Sequence, residues 1–162
     1  YYLLNLNLQS YQGVDAMEVK IEKAYAVEDA PLLYDDLREE DMMECIGLMH
    51  HPRDAVYGSF ESSSKCYSVK TDQDGLLASF GVSPRDNIGV CWLLGTRNFY
   101  KVKKKFVKES QMWIDDLMDG FDYLTNYVME ANTLSVKWLT WLGATFQDCN
   151  IPGYKAFKIE RK

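Results

Sequence analysis

The segment from Cys66 to Thr96 restricts the fold more tightly than any other part of the chain. It reads "CYSVKT", "DQDG", "LLASFGVSP", "RDN" and "IGVCWLLGT" in succession. Two apolar runs flanking a Gly-containing turn predict a hairpin. A second short turn then leads into a run with almost no polar alternation. Such a run predicts a strand buried on both faces and central in its sheet. The three strands, joined by tight turns, are of antiparallel type.

The flanking segments supply helices. Residues 101–121 place Val102, Phe106, Ser110, Trp113, Leu117 and Phe121 at intervals of three or four, the period of a helix with one buried face. Its first half is basic ("KVKKKFVK") and its second half acidic, against the preference of the helix dipole. That reversal invites an anionic ligand, or else marks a surface charge cluster. Upstream, Val19 and Ile21 fit a first strand. Asp29 is expected to cap a helix with Pro31 in its first turn and Leu32, Leu33 and Leu37 along one face. A short helix is expected from Glu40 to Met49. The acids of this region, Asp35 to Glu44 among them, read as a solvated face. His50 and His51 read as loop, and Ala55–Phe60 as one further helical turn. "YLTNYVME" predicts a strand, "NTLSVKWLTWLGA" a helix ending at Gly143, and "YKAFKIE" a last strand. Helices alternating with a mixed sheet make a layered α/β domain.

Length and composition exclude several classes. The 162 residues, 47% of them apolar, suffice for one domain with a substantial core. A net charge of −6 argues against nucleic acid, whose phosphates need clustered Lys and Arg. No apolar run approaches the ~20 residues of a membrane-spanning helix, and no signal-peptide pattern is seen. Cys45, Cys66, Cys91 and Cys149 lack metal-like spacing and read as reduced thiols, so no metal is expected. Leu4, Leu6 and Leu8 alternate with Asn5 and Asn7 as in a strand. Met17 looks like a natural start, so residues 1–16 read as an extension or expression remnant, or as an edge strand, before a domain at 17–162.

The order of elements resembles the GNAT (Gcn5-related N-acetyltransferase) fold, a mixed, mostly antiparallel sheet flanked by helices. The blocks "LREEDMMECIGL", "DGLLASFGVSP", "GVCWLLGT" and "NYVMEANTLSVKWLTWLGATF" more narrowly resemble a family of phage proteins. Members include acetyltransferase-like internal virion or core-assembly proteins of short-tailed phages. In the GNAT fold acetyl-CoA lies where the fourth and fifth strands splay, with its pyrophosphate on a glycine-rich turn at a helix start. The resemblance makes Cys91–Leu94 the pantetheine-facing strand and Gly95–Tyr100 the pyrophosphate turn. Tyr123–Glu130 becomes the fifth strand. It implies cofactor contacts from Trp92, Leu93, Leu94, Gly95, Thr96, Arg97, Asn132 and Ser135.

The match has gaps. After Arg97, the stretch "GTRNFYKVKKKF" lacks the two small residues of the turn, and Phe99 and Tyr100 are bulky. Asn132, Ser135 and Gly143 keep the spacing of the second block. Leu139 stands where active members carry a tyrosine that protonates the departing thiolate. No base lies in the cleft strand, and Glu130 is the nearest carboxylate by topology. Cys91 reads as a buried thiol and Asn132 as a helix cap.

The resemblance therefore implies a virion-associated or assembly protein with a degenerate acetyl-CoA cleft. Phage structural proteins or a host protein are its expected partners. Its expected location is the host cytoplasm during infection, or the virion interior. The alternatives are an active N-acetyltransferase using acetyl-CoA on an unknown amine, and an acidic protein that binds a host enzyme.

Overall fold

A computed structural model describes residues 4–6 and 18–162. The expectation for residues 1–16 lies, apart from the backbone of 4–6, outside the described residues. In chain order the strands are β1 (Leu4–Leu6), β2 (Val19–Lys23), β3 (Lys65–Thr71), β4 (Gly75–Arg85), β5 (Ile88–Gly95), β6 (Tyr123–Met129), β7 (Thr145–Asp148) and β8 (Tyr154–Glu160). The helices are α1 (Ala26–Asp35), α2 (Glu39–Gly47), α3 (Pro52–Ser62), α4 (Lys103–Met118) and α5 (Thr133–Trp141). A 3-10 turn, Phe99–Lys101, precedes α4.

The strands form one sheet in the order β1-β2-β3-β4-β5-β6-β8-β7. Every neighbouring pair is antiparallel except β5 and β6. The predicted hairpins are β3–β4 and β4–β5. Helices cover both faces. On one, Leu33 and Leu37 meet Val56 and Phe60 of α3. On the other, Phe80 packs with Phe106 and Trp113 of α4 at ring-centroid distances of 5.4 and 5.6 Å. Burying such a ring is worth ~1.5–3 kcal/mol.

The strand buried on both faces is β4, whose residues Leu76 to Val82 are all buried. The apolar run of β5 instead lines a cavity with half-buried Trp92, Leu93 and Leu94. Helix α1 begins at Ala26 with Tyr25 as its cap residue, so Asp29 and Pro31 lie inside it. Asp29 is buried and reaches back to the Tyr25 N–H at 3.1 Å, accepts from Ser68 Oγ at 2.9 Å and pairs with Lys70 at 3.0 Å. Leu32 faces solvent. Helix α3 is longer than the expected turn because Pro52 starts it and His51 Nδ1 accepts from the Arg53 N–H at 3.2 Å. Strand β7 has no expectation behind it. Its four residues are held by pairing to β8.

Candidate functional site

Strands β5 and β6 run parallel for only three residue pairs, Ile88–Val90 against Tyr123–Thr125. Beyond them they diverge. Asn126 bridges the base of the wedge, donating from Nδ2 to the Cys91 carbonyl at 2.7 Å while its Oδ1 accepts from the Tyr127 N–H. A cavity of about 760 Å³ opens above, walled by Leu93, Val128, Ser135, Trp138 and Leu139 among others.

Gly95, at the end of β5, has its backbone turned away from β4. Its carbonyl accepts from the Arg38 N–H at 2.9 Å, and its N–H donates to Asp41 Oδ2 at 2.7 Å. The period-two alternation of a strand turns the backbone of Leu93 to the same side, toward the wedge. Asp41 is 2% exposed and forms a bidentate pair with Arg38, through Nε at 2.9 Å and Nη2 at 2.8 Å. The Arg38 guanidinium lies over the Phe99 ring at 5.3 Å. A Cβ on Gly95 would stand 3.1 Å from both Arg38 and Phe99.

One turn further along α2, Glu44 Oε1 accepts from Asn132 Nδ2 at 3.1 Å. Burial pushes its carboxyl above the usual range, against the pull of the Asn132 bond; nearby Asp41 adds to the rise and the Met129 N–H opposes it. The Glu44 carbonyl accepts from Tyr154 Oη of β8 at 3.2 Å. Gly47 permits that approach, since a Cβ there would fall 2.0 Å from the tyrosine oxygen. Helix α2 therefore lies across the wedge, with one carboxylate on β5 and the next on the start of α5.

The expected site residues divide accordingly. Trp92, Leu93, Leu94 and Ser135 line the cavity. Trp92 also donates from Nε1 to Ser63 Oγ at 2.8 Å. Asn132 caps α5, its Oδ1 accepting from the Ser135 N–H at 3.3 Å. Gly95 is at the wedge, but its N–H is taken by Asp41. Thr96 is buried and bonded to the carbonyls of Leu76 and Leu77. The Arg97 side chain, 75% exposed, pairs loosely with Asp36 at 3.6 Å and is outside the cavity walls. Glu130 is exposed past the end of β6, pairs with Lys155 at 3.4 Å and is also outside them. Cys91 is buried and its thiol is pushed up to about 12, which leaves no thiolate to act as a nucleophile.

Sequence reasoning missed Arg38, Asp41, Glu44 and Asn126. The one local signal was the Arg38–Asp41 spacing of three, which pairs side chains on a helix face. The reading of these acids as wholly solvated is corrected for Asp29 and Asp41, which are buried and paired, and for Glu44, which is half-buried.

The turn after β5 is poorly supplied with donors for a pyrophosphate: among the described residues, only the N–H groups of Asn98 and Tyr100 in it lack an acceptor. The N–H of Gly95 is held by Asp41, that of Thr96 by Leu77, that of Arg97 by Asp36 and that of Phe99 by Thr96. Buried Phe99 fills the place of a small residue. Of the lysines beyond it, Lys101 is paired with Asp74 at 2.8 Å. Among the described residues no group of side chains is arranged for a metal, and no helix is long and apolar enough to cross a membrane.

Comparisons with known proteins follow this division between fold and site. A family model described as "Bacteriophage T7, probable scaffold protein Gp13" matches residues 67–150, just over half of the chain. The "Probable scaffold protein gp13" of Escherichia phage T7 is 28% identical over 95 residues, 56% of this chain and 64% of that protein. The match thus spans under two thirds of that relative's length. Among solved structures, the GNAT domain of S. lividans PAT superposes with a TM-score of 0.64 at 13% identity, covering 91% of this chain and 93% of that one. A Pyrococcus horikoshii protein gives 0.67 at 14% identity, covering 90% and 99%. A spermidine N-acetyltransferase chimera of Vibrio cholerae and human sequence gives 0.64 at 12%, covering 88% and 95%. At such identities these structures establish the GNAT fold alone.

Proposed function

Since this chain belongs to the family described as "Bacteriophage T7, probable scaffold protein Gp13", we propose that it is a phage assembly protein on a GNAT fold whose strand-end donor in the cofactor cleft is taken by its own α2. The observation that carries this reading is the Asp41 carboxylate on the Gly95 N–H, paired behind with Arg38. An internal anion takes the strand-end donor, so the fold supplies a rigid platform and not a cofactor site. Leu139 adds to the case, because a buried leucine offers no proton to a thiolate leaving group. Its partners are then phage structural proteins, met in the host cytoplasm during infection or inside the particle.

Two measurements test the reading. Thermal melts of the chain with millimolar acetyl-CoA should show no shift; a saturable shift overturns the reading of a disabled cofactor site and favours an N-acetyltransferase. A tagged chain recovered from infected cells should carry phage structural proteins. Recovery of a host enzyme alone favours the host-binding role instead.

A further inference from the structure

Helix α4 carries its charges against its own dipole. Its first turn holds no acid, its last turn no base, and no side chain caps its start. Lys103, Lys104, Lys105 and Lys108 crowd the positive end, and Asp115, Asp116 and Asp119 the negative end, where each is unfavourable. Phe106, Ser110, Trp113 and Leu117 form the buried face. On the opposite face, at steps of three and four, stand Lys104, Lys108, Met112, Asp115 and Asp119, all exposed. Half-buried Gln111 lies beside Met112. Among the described residues neither Lys104 nor Lys108 meets a carboxylate. Asp115 meets no cation there and accepts from Gln111 Nε2 at 3.0 Å. Lys65 of β3 leans on Asp116 at 3.5 Å and reaches Asp119 at 4.0 Å, while Lys162 donates to Gln111 Oε1 at 3.0 Å.

Turned end for end, this stripe keeps its spacing and exchanges its signs. Lys104 and Asp119 lie equally far on either side of the point between Gln111 and Met112, and so do Lys108 and Asp115. A two-fold axis through that point sets Lys104 of each copy against Asp119 of the other, and Lys108 against Asp115. It also brings the acids of each copy to the helix N-terminus of the other, which relieves the misplaced charges. A uniformly acidic partner would meet the lysines and be repelled by the aspartates. We propose that the chain forms a two-fold homodimer through the outer face of α4, with its helices antiparallel and Met112 beside the axis. This goes beyond the assembly reading, and its test uses the purified chain alone, so the two fail separately.

Exposed ion pairs are weak and screened by salt. Sedimentation equilibrium of the full chain up to about 200 µM should therefore show a monomer–dimer equilibrium at about 0.01 M ionic strength that shifts to monomer at about 1 M. Lys108→Asp and Asp115→Lys should each keep the wild-type far-UV circular dichroism and each weaken the dimer about tenfold. The double variant Lys108→Asp/Asp115→Lys should restore it, because the exchanged charges still face each other across the axis. Lys104→Asp/Asp119→Lys should behave in the same way. A wild type that stays monomeric in dilute buffer leaves the stripe to another partner and overturns the proposal. A dimer indifferent to salt and to both single reversals, or a double exchange without rescue, overturns it too.

Discussion

At Asp41 a single carboxylate accepts from three N–H groups, two on Arg38 and one on Gly95. Taking away one partner of a buried pair leaves an uncompensated charge, which typically costs ~3–5 kcal/mol. Asp41→Ala should therefore lower unfolding free energy by that order in urea denaturation. Arg38→Met/Asp41→Leu should lose less than the two single losses summed, because neither charge is then stranded. Glu44 behaves differently. Its folded pKa is raised, so it contributes stability below the unfolded carboxyl pKa and loses it as pH rises through the folded value. At neutral pH the ionised form is a cost. Glu44→Gln, which can still accept from Asn132, should melt above wild type at pH 7, and the gap should close on acidification. A constant gap across pH would contradict the assignment.

Among the elements, α4 and α5 are joined by one polar contact inside an apolar interface. Ser110 Oγ accepts from Trp138 Nε1 at 3.0 Å and donates to the Val107 carbonyl at 2.6 Å. The Trp138 ring also meets Phe106 at 6.1 Å. Trp138→Phe keeps most of the ring and removes the donor. It should cost about 1 kcal/mol in chemical denaturation; a variant as stable as wild type would show that the indole N–H contributes nothing. The stripe of α4 was legible because burial recurs at the helical period: Val102, Phe106, Ser110, Trp113 and Leu117 are all buried. The cap of α5 was legible for the same local reason, since Asn132 and Ser135 are three residues apart. Strand β7 was not, because "TFQD" has no strand signal apart from its pairing with β8. The inward placement of Asp41 and Glu44 was hidden as well. Acids in a first helical turn satisfy the dipole and read as surface.

For the molecule as a whole, the sheet order and the helices on both faces produce the GNAT architecture, and the short β5–β6 pairing produces its wedge. What lines the wedge is a separate matter of long-range contact. Gly95 and Asp41 are 54 residues apart, and Asn132 and Glu44 are 88 apart. By itself the sequence determined the element types, the hairpins, the missing turn glycines and the absent tyrosine. The first two depend on periodicity and near neighbours, and the last two on the residue-by-residue resemblance to the GNAT fold. Only the tertiary structure decided that α2 crosses the wedge, and that Asp41 meets the Gly95 N–H and Glu44 the Asn132 side chain. Those outcomes depend on which distant backbone groups a carboxylate meets, and helical periodicity carries no information about that.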